Sequence, residues 1–87
     1  MELKEYRQRL DKIDSELIRL FCERMDTVRE IGKYKREHGM PIHAPGREKE
    51  ILDRVREASG DELAPYAQTL FETLMYVSRE YQKTLIG

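Results

Sequence analysis

Arg24 and Lys35 stand eleven residues apart in a stretch free of proline. On a helix that is about three turns, so the two cations share a face about 16 Å apart along the axis. Long side chains at that spacing can close on a small dianion lying between them. Gly32, near the middle of the stretch, removes side-chain bulk where a ligand or another helix must come close. Further on, Ser78 and Gln82 place a hydroxyl and an amide one turn apart on an otherwise apolar stripe. Buried polar groups of that kind must be hydrogen-bonded. Arg47 and Glu48 open a further helical segment beside a short loop. Arg7 belongs to the same segment as Arg24 but lies roughly 25 Å from it and about 100° around the axis. It cannot touch the same small ligand within one chain, but in an antiparallel dimer it could reach the partner's site.

Each residue also has a plain structural reading. Arg24 could be a snorkelling or salt-bridged arginine, and Lys35 a surface lysine. Ser78 and Gln82 could bond each other or water, and Arg47 and Glu48 could form an exposed ion pair. Taken together, the set holds cations, one carboxylate, a hydroxyl and an amide. It contains no nucleophile–base pair and no metal cluster. His38 and His43, five apart across a Gly-Met-Pro break, have poor spacing for ligation. The inventory suits a small, multiply anionic ligand and chemistry driven by electrostatics rather than covalent catalysis.

These residues need long helices to position them. Residues 1–37 contain no proline and no glycine before Gly32, and they read as one helix of roughly 50 Å. Leu3, Leu10, Leu17, Arg24 and Ile31 recur every seven residues, as do Tyr6, Ile13, Leu20, Thr27 and Tyr34. These are the two seam positions of a heptad repeat, apolar except at Arg24 and Thr27. Phe21, Met25 and Val28 add a second apolar stripe in the C-terminal half. A rod of this length cannot be covered by the rest of so short a chain, so its seam calls for a second copy. His38-Gly39-Met40-Pro41 ends it.

A second helix is expected from Pro45 to about Ala58, with Pro45 in its first turn and Ala44 as a chemically poor cap. Ser59-Gly60 stops it. A third begins at Asp61 or Ala64, with an apolar stripe of Leu63, Tyr66, Ala67, Leu70, Phe71, Leu74, Val77, Tyr81 and Leu85. The fold class is therefore all-α: three helices in one domain over residues 1–87, the first very long, paired in an intertwined homodimer.

Composition agrees. Charged residues make up 38% and apolar residues 39% of the 87, the balance of a folded helical protein. The net charge of −1 argues against a nucleic-acid partner, which favours a basic face. No apolar run approaches a membrane span, and the opening MELKEYRQRLDK lacks a signal peptide's apolar core. The single cysteine, Cys22, reads as a buried thiol in a reducing, cytoplasmic compartment.

The motifs, in order, resemble the all-α chorismate mutases. The pieces are R-x-x-L-D-x-I-D-x-E-L-I-x-L at Arg7 to Leu20, E-R at Glu23-Arg24, I-G-x-Y-K at Ile31 to Lys35, P-I then R-E-K-E-I-L at Pro41 to Leu52, and S-x-x-x-Q at Ser78 to Gln82. The resemblance runs from about Leu3 to Lys83. It implies the rearrangement of chorismate to prephenate, a [3,3] shift needing no cofactor, metal or covalent intermediate. It assigns Arg24 and Lys35 as the cations of a protomer's own long helix, and Arg7 as the arginine crossing from the other protomer. Arg47 and Glu48 become the helix-two pair near the ring hydroxyl, and Ser78 and Gln82 the hydrogen-bonding pair of helix three. Lys35, Gln82, Arg24 and Glu48 are the expected catalytic groups. Lys35 and Gln82 are aimed at the ether oxygen on which charge develops. Ala44 and Gly46 depart from the family's pattern, where many relatives carry acidic residues.

Two other functions fit parts of this pattern. A lyase of the same fold, eliminating pyruvate from isochorismate, would share the anion clamp, although Glu48 and Ser78 favour the mutase. A non-catalytic dimerisation module explains the heptads but not Arg24 in the seam.

Overall fold

The computed structural model describes residues 2–86, with the Ile86 side chain left aside. Three α-helices account for nearly all of it: α1 (Leu3–Glu37), α2 (Pro45–Ser59) and α3 (Ala64–Ile86). These are the helices expected from periodicity and breakers, and α3 starts at the later of its two expected positions.

The stops follow from backbone chemistry. Gly39 adopts φ 64°, a left-handed conformation that favours glycine. There its N–H donates to Arg36 O at 3.4 Å, and Met40 N–H donates to Lys35 O at 2.8 Å. This paired closure satisfies two of the last carbonyls of α1. Gly60, at φ 79°, ends α2. Ala44 caps α2 without a side-chain hydrogen bond, and Pro45 occupies its first turn.

α3 is the central element, packing against both α1 and α2. Its contacts with α1 rise in step along both helices. Arg24 meets Ser78, Val28 meets Gln82, and Arg36 Nη1 reaches Leu85 O at 3.0 Å. The two helices therefore run in the same direction. α2 runs the opposite way, with Glu48 against Arg79 and Arg56 against Gln68.

The molecule is elongated, 54 × 26 × 14 Å, with a radius of gyration of 16.0 Å. A compact chain of this length would have about 12 Å. The excess is α1, whose N-terminal half extends past its neighbours. Leu3, Tyr6, Leu10, Ile13, Leu17 and Leu20 are each about half exposed or more. Cys22 is exposed as well, which corrects the expectation of a buried thiol. Among the described residues these side chains stay largely uncovered, although Leu17 and Leu20 border an apolar groove shared with Leu70 and Leu74 of α3.

Among the described residues, full burial is confined to Val28 and Gly32 on α1 and to Met75, Ser78 and Gln82 on α3. Of the second apolar stripe on α1, Val28 is buried, Met25 half-buried and Phe21 exposed. The expected stripe on α3 needs turning. Met75, not counted in it, is the core residue, while Leu63, Tyr66 and Leu70 face outward. The face α3 gives to its own chain is Phe71, Met75, Ser78 and Gln82, at spacings of four, three and four. Two of the five buried residues are thus polar and carry the candidate site.

Candidate active site

Arg24 is half-buried at the level where α1 meets α3. Its Nη1 donates to Ser78 Oγ at 2.6 Å, and Ser78 Oγ donates to Leu74 O one turn back at 2.7 Å. The serine hydroxyl therefore fixes the guanidinium, and its own proton goes to the helix backbone. Burial lowers the Arg24 pKa from its ordinary value by desolvation. An arginine still keeps its charge there. The other guanidinium N–H groups remain for a ligand.

Three turns on, Lys35 Nζ donates to Ile42 O at 2.8 Å, fastening the α1–α2 loop beside the site. An ammonium has three protons, so this bond positions the cation without exhausting it. Gln82 is 5% exposed, and its Nε2 donates to Val28 O at 3.0 Å. That leaves the second amide proton. Gly32 permits this arrangement, because a Cβ there would sit 3.1 Å from Gln82 Cγ and 3.4 Å from Leu85 Cδ1. The close approach expected at Gly32 is thus that of α3.

α2 supplies Arg47 and Glu48. They do not pair with each other. Arg47 is exposed and donates to Glu50 Oε2 at 3.3 Å. Both oxygens of the half-buried Glu48 take Arg79 Nη1, at 2.5 and 2.6 Å. Residues adjacent on a helix point about 100° apart, which sends Arg47 outward and Glu48 toward α3. Likewise, Ser78 and Gln82 bond to α1 and to the helix backbone rather than to each other.

One cavity of about 260 Å³ is lined by Arg24, Lys35, Arg47, Glu48, Ser78 and Gln82 together. Val28, Ile31, Ile42, Ile51 and Met75 give it apolar walls. Six of the seven expected site residues therefore surround a single space. Arg7 does not line it; it lies on the exposed N-terminal half of α1.

The sequence reading missed Arg79, which also lines the cavity. It stands four residues after Met75 and three before Gln82, a spacing that puts it on the site face only once Met75 is known to be buried. With it the cavity wall holds four cations (Arg24, Lys35, Arg47, Arg79) against one carboxylate (Glu48). Such a wall attracts anions. Among the described residues, no group of three or more His, Cys, Asp or Glu is placed to hold a metal. Among the same residues, no helix is long and apolar enough to cross a membrane.

The family model "Chorismate mutase type II" matches residues 6–83. This chain belongs to that family. It is 37% identical over 78 residues to the T-protein of Haemophilus influenzae, covering 90% of this chain and 20% of that protein. It is 38% identical over 56 residues to the chorismate mutase of Methanocaldococcus jannaschii, covering 64% of this chain and 57% of that one. It is also 35% identical over 60 residues to the 4-amino-4-deoxychorismate mutase of Streptomyces venezuelae, covering 69% and 58%. The chain thus spans between a fifth and three fifths of the length of these relatives. The all-α resemblance read from the motifs and the family match agree.

Proposed function

We propose that the chain is an isomerase that rearranges chorismate to prephenate at the cavity between its three helices. The observation that carries this reading is the gathering of Arg24, Lys35, Glu48, Ser78 and Gln82 from distant parts of the sequence around one space. Chorismate has two carboxylates, a ring hydroxyl and an ether oxygen. The cavity offers cations for the first, a carboxylate acceptor for the second and two donors for the third.

In the proposed mechanism, Arg24 holds one carboxylate in a geometry set by Ser78. Binding selects the folded diaxial conformer, which removes an entropic part of the barrier. As the ether C–O bond breaks and the C–C bond forms, negative charge grows on the ether oxygen. The remaining protons of Lys35 and the free amide proton of Gln82 meet it. Both donors are already held by Ile42 O and Val28 O, so little reorganisation is needed during the reaction. Glu48 accepts the ring hydroxyl, and the reaction needs no cofactor.

The active form is a homodimer in this reading. Half-exposed seam residues from Leu3 to Leu20 support it. So does an apolar groove of about 440 Å³ between Leu17, Ile18, Phe21, Leu70 and Phe71, because exposed patches of this kind mark interaction sites. A second α1 laid antiparallel along the first would cover both and would bring its Arg7 to the site. An exposed free thiol at Cys22 suits a reducing, cytoplasmic setting.

Incubation with chorismate, followed by loss of its absorbance and identification of the product, tests the reading. Formation of prephenate is expected. Release of pyruvate, or no consumption of chorismate at micromolar protein, would overturn it.

A further inference from the structure

We propose that Arg79 is a positioning and specificity residue that acts through Glu48, setting that carboxylate to accept a neutral hydroxyl rather than to bind an ammonium group. The assignment rests on the chorismate reading above and extends it to a residue at an unspecified position of the S-x-x-x-Q motif.

The geometry is specific. A single nitrogen, Nη1, lies between the two carboxylate oxygens at 2.5 and 2.6 Å. The Arg79 and Glu48 side chains are only 26% and 22% exposed, so solvent screens the pair less than an exposed one. A carboxylate presents about four acceptor positions. Nη1 sits between the two oxygens and takes one position on each, which leaves further acceptor positions on Glu48, and both residues line the cavity. Glu48 therefore keeps its acceptor capacity while its charge is balanced.

No other described cation takes that place. His43 Nε2 stands 3.8 Å from Glu48 Oε1 and is 60% exposed, too far for a hydrogen bond. Arg47 is turned to Glu50. Lys35 and Arg24 line the same cavity but donate to Ile42 O and Ser78 Oγ. Without Arg79, Glu48 would be a half-buried carboxylate with no cation within hydrogen-bond reach, and such a group favours a ligand that brings a positive charge. With Arg79 in place, an incoming ammonium meets a guanidinium already seated, and like charges so close repel. A hydroxyl has no such conflict and needs only the free lone pair. The ring substituent facing Glu48 is thus selected by a residue that need not touch it.

The test compares kcat/KM for chorismate and for its analogue with an amine in place of the ring hydroxyl, at pH 7, in wild type, Arg79→Met, Arg79→Gln and Arg79→Lys. The methionine and glutamine variants should each shift the hydroxyl-to-amine preference toward the amine by roughly tenfold or more, the scale of one charged hydrogen bond. The lysine variant should stay close to the wild-type preference. Two uncharged variants are used so that the reading does not depend on either one folding. An unchanged preference in a folded uncharged variant overturns the assignment, and so does a lysine variant that shifts as far as methionine. In either case the chorismate reading stands, because wild type still turns over chorismate. Wild-type protein that converts neither compound overturns both.

Discussion

Arg24 Nη1 and Ser78 Oγ lie 2.6 Å apart across 54 positions of sequence, and the same hydroxyl returns its proton to Leu74 O. The serine is therefore a fixed acceptor that aims a half-buried guanidinium. Ser78→Ala removes the aim and keeps the charge. The expected result is a rise in KM for chorismate of roughly tenfold, with a stability loss of about 1 kcal/mol for one hydrogen bond. Steady-state kinetics and thermal unfolding of the variant check both figures.

Gly32→Ala sets two effects against each other. Alanine in a helix interior favours folding by about 1 kcal/mol relative to glycine. The new methyl would lie 3.1 Å from Gln82 Cγ, and Gln82 is held to Val28 O, so it gives way only by loosening that bond. Overpacking of this size costs about 1–3 kcal/mol. Stability should therefore stay level or fall slightly, while kcat drops because the displaced amide no longer meets the ether oxygen. Full activity in the variant would remove Gln82 from the proposed chemistry.

Lys35→Ala should lower kcat by about 10²-fold or more, the scale of a preorganised donor to developing charge. The same change frees Ile42 O, its partner at 2.8 Å, so some rise in KM is also expected. A rise in KM with kcat unchanged would make Lys35 a ground-state anchor instead.

Much of this is legible in the sequence. The helix boundaries followed from heptad spacing, from Pro41 and Pro45, and from Gly39 and Gly60. Their positive φ angles are a local property of residue type. Arg24, Ser78 and Gln82 stood out as polar residues interrupting apolar faces and Lys35 as a cation on the face of Arg24, and their assignment to one site followed from the family resemblance. What was not legible depends on how α3 is rotated about its own axis. Its apolar residues serve two surfaces. Met75 is buried within the chain, while Tyr66 and Leu70 face outward, and one continuous stripe does not separate the two. Arg79 was missed for the same reason, because an arginine beside Ser78 reads as surface until the helix is turned. The partners of Arg47 and Glu48 likewise depend on which way each faces across to α3.

In the proposed dimer each site is built from two protomers, with Arg7 supplied from across the dimer. The direct test is complementation between Arg7→Ala and Arg24→Ala. Each variant alone should be nearly inactive. Unfolded and refolded together at equal concentration, they form mixed dimers in which one site carries both defects and the other carries neither. With random pairing, about half the dimers are mixed and each has one intact site, so activity should recover to roughly a quarter of wild type. No recovery, with mixed dimers confirmed by mass spectrometry, would contradict the account.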